Sequence, residues 1–322
     1  MLFRSRLLVL HPNVEIEALV ADSNAGKEIT ELYPSFYAAN LPRLQKLDEV
    51  SFDGIDVVFC CLPHATSQEV IARLPRNLRV IDLSADFRLS DTALYEKWYG
   101  EHKAKSLQSE AAYGLTELNR KKIKAARIIA CPGCYPTSAL LPLMPLVEVG
   151  VIDKSNIFID SKSGITGAGR SAKVNLLFSE ASEGVGAYAL AGHRHAAEMI
   201  ENLGANVSFV PHLIPMNRGI ISTIYVKLNG SIEAARKVLA DKYVDEEFVQ
   251  LLPEGIAPST HQVRGTNYCF MNIFAGQLEG YATIISVIDN LCKGSSGQAI
   301  QNMNLAFGLD EKIALQQTAL FP

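Results

Sequence analysis

Apolar positions follow two regimes along this chain, and the change falls near residue 134. In the first regime, Leu2, Phe3, Leu7, Leu8 and Leu10 share one face of a short helix that ends at His11-Pro12. Residues 14–21 alternate as a strand. Residues 55–62, Ile-Asp-Val-Val-Phe-Cys-Cys-Leu, form a continuous apolar run of the kind seen in parallel sheets covered on both faces. A helix over 67–74, a strand over 78–83, a helix over 91–99 capped by Asp91, and a buried strand over 127–130 continue the pattern. This alternation predicts an α/β architecture, a doubly wound parallel sheet of Rossmann type. Such a sheet places its ligands at the C-terminal ends of the strands, where Pro63 and His64 follow one strand and Ser84 to Arg88 follow the next. Before the first helix there is no strand and no Gly-x-x-Gly-x-x-Gly turn, so the first βα unit of that sheet is expected to be missing.

Beyond residue 136 the rhythm changes. Residues 137–149 read as a helix kinked or shortened by Pro142 and Pro145. Strands are expected at 156–160, 207–210, 220–228 and 281–288, with fewer helices between them, which predicts a mainly antiparallel α+β unit. From Asp289 onward the spacing of Ala299, Ile300, Met303 and Phe307 returns to helical and is expected to pack on the first unit. The expected division is residues 1–133 with 290–322 as one domain and 134–289 as the other.

Composition narrows the function classes. Hydrophobic residues make up 48% of the 322 and charged residues 20%, enough for large cores and unlike a disordered chain. The net charge of −4 and the lack of a Lys/Arg run point away from nucleic acid and anionic membranes. No apolar stretch is long enough for a membrane span, and the N-terminus lacks the apolar core of a signal peptide. Six cysteines in a chain this long do not make a disulfide framework, and adjacent Cys60-Cys61 suit a reducing, cytoplasmic setting.

The chemistry centres on Cys131-Pro132-Gly133-Cys134-Tyr135-Pro136-Thr137. Pro132-Gly133 forces a turn at the end of a buried strand, and Pro136 suits the first position of the next helix. Cys134 then lies at a helix N-terminus, whose partial positive charge favours thiolate over thiol. Cys131 and Cys134 also spell Cys-x-x-Cys. A zinc site would need a second such pair, which the sequence lacks, while a dithiol couple remains an alternative. A nucleophilic sulfur needs a base, and Gly192-His193-Arg194-His195 offers two imidazoles and a guanidinium at the head of a helix. The loop over 161–170 combines Ser163, Gly164, Gly167 and Arg170, a seat for phosphate or carboxylate, and Arg218 follows a later strand.

Seven ordered motifs together resemble the N-acetyl-gamma-glutamyl-phosphate reductase family: Cys-Pro-Gly-Cys-Tyr-Pro-Thr, the run from Asp82 to Arg88, Tyr113 to Glu117, Ser163 to Arg170, Gly192 to His195, Pro211 to Ile220, and Asp289 to Gly294. The resemblance implies a Rossmann NADP domain and a catalytic domain like that of glyceraldehyde-3-phosphate dehydrogenase. It implies NADPH-dependent reduction of an acyl phosphate in arginine biosynthesis, by a homo-oligomer (dimer or tetramer). By matched position, Cys134 resembles the thioester-forming nucleophile, and His193 and His195 its paired histidines. Arg88, Ser163, Arg170, Arg194 and Arg218 would serve the substrate. Ser23, Pro63, His64, Ser84, Gly164, Gly167 and Asn290 would serve the cofactor, and no metal is implied. Two departures stand out: the absent Gly-rich turn, and Asp22, whose charge would repel the 2′-phosphate of NADP. Two other readings remain: a cofactor-impaired homologue and a reductase of carrier-bound aminoadipyl phosphate.

Overall fold

The computed structural model describes residues 2–169, 171 and 173–320, so the expectation for Arg170 lies outside the described residues. Helix α1 (Leu2–Leu8) leads into β1 (Leu19–Val20), α2 (Ile29–Leu32) and β2 (Leu44–Gln45). β1 and β2 pair in parallel as a sheet of their own. Then come β3 (Val57–Cys60), α3 (Ser67–Arg73), β4 (Arg79–Asp82), α4 (Thr92–Tyr99), β5 (Ala111–Tyr113), α5 (Thr116–Ala125) and β6 (Ile128–Ala130). These four strands form a wholly parallel sheet in the order β3-β4-β6-β5. The Asp91 cap is present, its carboxylate accepting from the N–H groups of Ala93 at 2.8 Å and Leu94 at 3.3 Å. The expected strand over 14–21 shrinks to two residues, because only β2 pairs with it. Leu10 also departs from expectation: α1 stops at Leu8, and Leu10 is exposed.

The second unit runs α6 (Cys134–Val149), β7 (Ile152–Gly164), α7 (Phe178–Ala181), β8 (Gly186–Ala187), α8 (Arg194–Leu203), β9 (Val207–Ile214), β10 (Ile220–Leu228), α9 (Ile232–Tyr243), β11 (Val249–Leu251), β12 (Cys269–Ala275) and β13 (Tyr281–Ile288). Its sheet has seven strands in the order β11-β12-β13-β10-β7-β9-β8. Pairing is mostly antiparallel, with parallel pairs at β11–β12 and β7–β9. Leu140 and Leu143 of α6, Met199 of α8 and Leu239 of α9 share one core with Ile159, Ile224 and Ile284 of the sheet. Helix α10 (Gly297–Ala306) then returns to the first sheet, where Ile300 and Met303 pack with Ile81 and Ile129.

Helix α6 corrects one expectation. Pro142 and Pro145 do not shorten it; it runs from Cys134 to Val149 with both inside. A proline leaves the carbonyl four residues earlier without its helical partner. For Pro145 that carbonyl belongs to Leu141, and the Tyr243 hydroxyl of α9 donates to it. The helix also starts two residues earlier than expected, so Cys134, not Pro136, is its first residue. Pro136 still lies in the first turn, where no helical N–H bond is lost.

Candidate active site

β6 ends at Ala130, and Cys131-Pro132-Gly133 turns the chain directly into α6. Cys131 packs inside, 1% exposed, whereas Cys134 is half-buried. Two close approaches fix the surroundings of Cys134. A Cβ on Gly133 would come within 2.5 Å of the His195 Nε2, so the imidazole lies flat against the backbone beside Cys134. On the other side a Cβ on Gly294 would come within 2.8 Å of the Cys134 Cβ. Gly294 sits in a single π-helical turn, Cys292–Ser296, whose neighbour Lys293 is fully buried and paired with buried Glu117 at 2.6 Å. Burial opposes ionisation of Glu117, but the Lys293 ammonium and the Gln301 amide hold its carboxyl below the ordinary range. This ion pair pins the turn that backs the sulfur. Gly294→Ala should therefore displace Cys134 and lower kcat by roughly 10- to 100-fold while circular dichroism stays unchanged, since misplacement of about 1 Å costs that much in a positioned reaction.

Both histidines lie where α8 begins. His193 caps the helix, its Nδ1 accepting the His195 N–H at 3.0 Å, and its ring packs edge-on to Tyr135, Tyr188 and Phe209. The ring centroids of His193 and His195 are 4.8 Å apart. Burial lowers the His193 pKa to about 4, helped by the Arg194 charge, and pushes His195 well below the usual histidine range, helped by His193 and Arg88. Both imidazoles are neutral at pH 7. Burial also pushes the Cys134 thiol up to about 11, although the N–H groups of Tyr135 and Cys134 and the Arg88 charge pull it down. The expectation of a resting thiolate is thus corrected. Desolvation outweighs the helix terminus here, and the resting pair is neutral thiol beside neutral imidazole.

One central residue was not read from the sequence. Glu198, 2% exposed, accepts from the Gly133 N–H at 2.8 Å and the Tyr113 hydroxyl at 2.7 Å, and lies 3.4 Å from Arg88. It stands three residues after His195 on α8, and that spacing places both on one helix face. Arg88 does not present a free guanidinium to a substrate. Its Nε donates to the Cys131 carbonyl at 2.7 Å and its Nη2 to the Leu83 carbonyl at 3.0 Å, so it ties the ends of β4 and β6 together. Arg218 is held by buried Asp289 at 2.9 Å. Arg194 is exposed and lies over the Tyr99 ring at 5.3 Å. Ser163 is buried at the end of β7, its hydroxyl on the Gly164 carbonyl.

The expected cofactor residues fall into two groups and an outlier. Asn290 joins the first group: its Oδ1 accepts the Gly219 N–H at 2.8 Å and its Nδ2 donates to Thr166 at 3.0 Å, beside Gly167, while the Gly164 N–H donates to the Gly219 carbonyl. The second group lies at the ends of β3 and β4. There the His64 Nδ1 accepts the Ala85 N–H at 3.1 Å, and Ser84 bonds to Asp82 and Ser67. Pro63 is exposed at the mouth of this group. Burial and the charges of Arg194 and Arg88 lower the His64 pKa to about 4. Ser23 lies apart, exposed in the turn after β1.

Comparison with known proteins fits this arrangement. Residues 3–126 match the semialdehyde dehydrogenase NAD binding domain, and residues 134–290 match the semialdehyde dehydrogenase dimerisation domain. An N-acetyl-gamma-glutamyl-phosphate reductase of Cereibacter sphaeroides is 49% identical, covering 98% of this chain and 94% of its own. A probable chloroplastic N-acetyl-gamma-glutamyl-phosphate reductase of Arabidopsis thaliana is also 49% identical, over 98% of this chain and 81% of its own. Among solved structures, aspartate semialdehyde dehydrogenase II of Vibrio cholerae, complexed with ASA, has the same fold, with a TM-score of 0.69 at 15% identity over 95% of both chains. Aspartate semialdehyde dehydrogenase of Candida albicans, solved with NADP, gives 0.67 at 17% identity over 97% of both. With both domains matched in this order and relatives 49% identical over 98% of its length, the chain belongs to the N-acetyl-gamma-glutamyl-phosphate reductase family.

Proposed function

We propose that this chain reduces N-acetyl-L-glutamyl 5-phosphate to N-acetyl-L-glutamate 5-semialdehyde and phosphate, a step of arginine biosynthesis, using NADPH. The observation that carries the reading is Cys134, half-buried at the head of α6 between the His195 ring and the Gly294 turn. In the mechanism, the Cys134 sulfur attacks the acyl carbonyl while its proton passes to neutral His195. The sulfur–carbon bond forms, the bond from that carbon to the phosphate oxygen breaks, and phosphate leaves. First-turn N–H groups of α6 stabilise the oxyanion that develops on the carbonyl. Glu198 fixes the Gly133 backbone, and so the entry to α6, through its 2.8 Å bond. Arg194 and Arg218, with Arg170, supply positive charge for the phosphate and the substrate carboxylates.

The chain fits a nicotinamide dinucleotide at the strand ends. The backbone closes tightly around the amide of Asn290, which is 3% exposed between the 164–167 and 217–219 turns, and His64 and Ser84 lie at the ends of β3 and β4. A cofactor bound there would supply hydride to the thioester carbon; release of the aldehyde breaks the carbon–sulfur bond, and the proton held on His195 returns to the Cys134 sulfur. Residues 1–133 with 290–322 form the half that binds it, and 134–289 the catalytic half, which also associates with a second copy. No helix among the described residues is long and apolar enough to cross a membrane.

A direct assay runs the reaction backwards from N-acetylglutamate semialdehyde and phosphate, with NADP or NAD, and follows absorbance of the reduced nicotinamide. Turnover is expected with NADP. Asp22 begins the turn after β1, and its carboxylate weakens the preference for the 2′-phosphate. Asp22→Ser should raise the ratio of kcat/KM for NADP over NAD by about tenfold, the effect of removing roughly 1.4 kcal/mol of repulsion. Absence of turnover with either nucleotide, from folded protein, would refute the proposed reaction.

A further inference from the structure

Two fully buried carboxyl groups, Asp82 at the end of β4 and Asp86 just after it, are joined through two buried serines. Ser84 follows β4, and Ser67 is the first residue of α3. The contacts run in a line. Asp82 Oδ2 meets the Ser84 hydroxyl at 2.8 Å, that hydroxyl meets the Ser67 hydroxyl at 2.7 Å, and the Ser67 hydroxyl meets Asp86 Oδ2 at 2.7 Å.

Three such contacts need three protons, one between each pair of oxygens. The two hydroxyls supply two. The third must sit on a carboxyl group, or two buried oxygens would meet lone pair to lone pair. Asp86 is already filled as an acceptor: it also takes the N–H groups of Ala65 at 2.8 Å and Ser67 at 3.1 Å and the Tyr95 hydroxyl at 2.8 Å. Asp82 takes a single N–H, that of Ser84 at 2.9 Å on Oδ1, which leaves Oδ2 to carry the proton. Donation then runs from Asp82 to Ser84, from Ser84 to Ser67, and from Ser67 to Asp86. Burial favours the same state, pushing Asp82 up to about 6, helped by the Asp86 charge and opposed by the Ser84 bonds and Arg88. The end of the line holds the turn between β3 and α3. Asp86 grips that turn at Ala65 and Ser67, and Ala65 has φ of 65°, a left-handed conformation that an alanine leaves unless held.

We propose that Asp82 is a positioning residue whose proton latches the turn carrying Pro63 and His64, so that this chain grips its dinucleotide more tightly in mild acid than at neutral pH. The inference rests on the reading that seats the cofactor beside His64 and Ser84. When Asp82 releases its proton to solvent, the line is one proton short. The Ser67 hydroxyl, already 3.4 Å from Asp82 Oδ2, turns to the new anion and leaves Asp86, and the turn loosens. The other ionisable groups around Asp82 are Asp86 and Arg88 in its own loop, His64 in the turn, Tyr95 of α4, His102 on the Asp86 carbonyl, and Cys60, its register partner on β3. Burial holds both imidazoles below the ordinary histidine range and the tyrosine above its own.

Asp82→Asn makes the test, because its amide nitrogen donates to Ser84 permanently while its oxygen still accepts the Ser84 N–H. Comparison with this variant cancels the titration of every other group. Full-length wild type should show the infrared carbonyl band of a buried carboxylic acid at pH 5, absent from Asp82→Asn and fading as the pH rises through about 6. Hydrogen-exchange protection of the Ala65 and Ser67 amides should fall with the band by about tenfold between pH 5 and pH 8, the worth of one buried hydrogen bond, and stay level in the variant. The sign for stability follows. An acid whose pKa is raised on folding contributes most at low pH and loses that contribution as pH rises, so the wild-type Tm should drop relative to the variant over the same range. These readouts need no nucleotide, so a failed cofactor reading leaves them intact. With NADP added, the two proteins should bind equally at pH 5, and the wild type about tenfold more weakly at pH 8. A missing band, level wild-type protection from pH 5 to pH 8, or equal NADP affinity of the two proteins at pH 8 would each overturn the proposal. The band and the protection are read on wild type alone, and so decide the matter even where the variant fails to fold.

Discussion

Cys134→Ser should lower kcat by on the order of 10⁴-fold with little change in substrate KM, because hydroxyl is a far weaker nucleophile without a base matched to its much higher pKa. The substitution is nearly isosteric at a half-buried position, so the fold is expected to survive and thermal unfolding should shift little. Two further readouts assign the loss to the sulfur. Wild-type enzyme mixed with acyl phosphate in the absence of nicotinamide should release one phosphate per site and gain the acyl mass on the peptide containing Cys134; the serine variant should do neither. Cys131→Ser supplies the comparison. Cys131 is 1% exposed, and its sulfur lies 3.8 Å from the Asn302 amide, so it is enclosed and distant from any role as a resolving thiol. Near-wild-type turnover in that variant separates thioester chemistry from a dithiol couple, which would need both sulfurs. Cys134→Ser enzyme that keeps more than a few per cent of activity would sink the nucleophile assignment.

The placement of Cys134 at a helix head was legible because its local signals are self-contained. A buried β-branched strand, a Pro-Gly turn and a helix start place one residue at a helix head, whatever lies around it. The parallel pairing of β3, β4 and β6 was legible for the same reason: short apolar runs alternating with helical spacing predict a parallel sheet. What escaped depends on partners distant in sequence. The prolines of α6 look like breaks until Tyr243, about a hundred positions later, meets the carbonyl that Pro145 leaves free. Arg88 looks like a substrate clamp until the Cys131 and Leu83 carbonyls are seen to occupy it. Glu198 reads as an ordinary helical glutamate, although its spacing from His195 was a usable signal; only its burial on the Gly133 N–H shows that it organises the site. β12 was not among the expected strands; its Asn272 is buried, the amide donating to the Pro253 and Ile256 carbonyls. The ionisation state of Cys134 was misjudged on the same grounds. A helix N-terminus is a local feature, whereas the desolvation that overrides it comes from α8 and the 292–296 turn, brought in by the tertiary fold.

That reversal has a measurable consequence. With the thiol pushed up to about 11 and His195 neutral, the unliganded enzyme holds little thiolate at pH 7. Alkylation of Cys134 by iodoacetamide should therefore be slow at pH 7 and rise about tenfold per pH unit up to pH 10, because the thiolate fraction grows in that proportion below the pKa. A pre-formed thiolate–imidazolium pair would instead give a plateau between pH 6 and 8, and that plateau would refute the neutral resting state. Turnover must follow a different curve. During attack the proton has to leave the sulfur, and the His195 ring, packed against Gly133, is the neighbouring base. Since its pKa lies well below 6.5, the imidazole is already unprotonated at pH 7 and ready to accept; acid removes activity only as it becomes protonated, so the acid limb of kcat/KM should fall below pH 6. His195→Gln keeps a polar group at the Nε2 position but no base. It should lower kcat by about 10²- to 10⁴-fold, remove that acid limb, and leave the iodoacetamide profile rising with pH as before, because the thiol's desolvation is set mainly by packing. His193→Gln is the control: His193 caps α8 through its Nδ1, so its replacement should lower Tm and move KM and kcat only modestly. If His193→Gln instead removed the acid limb while His195→Gln kept it, the two imidazoles would exchange roles.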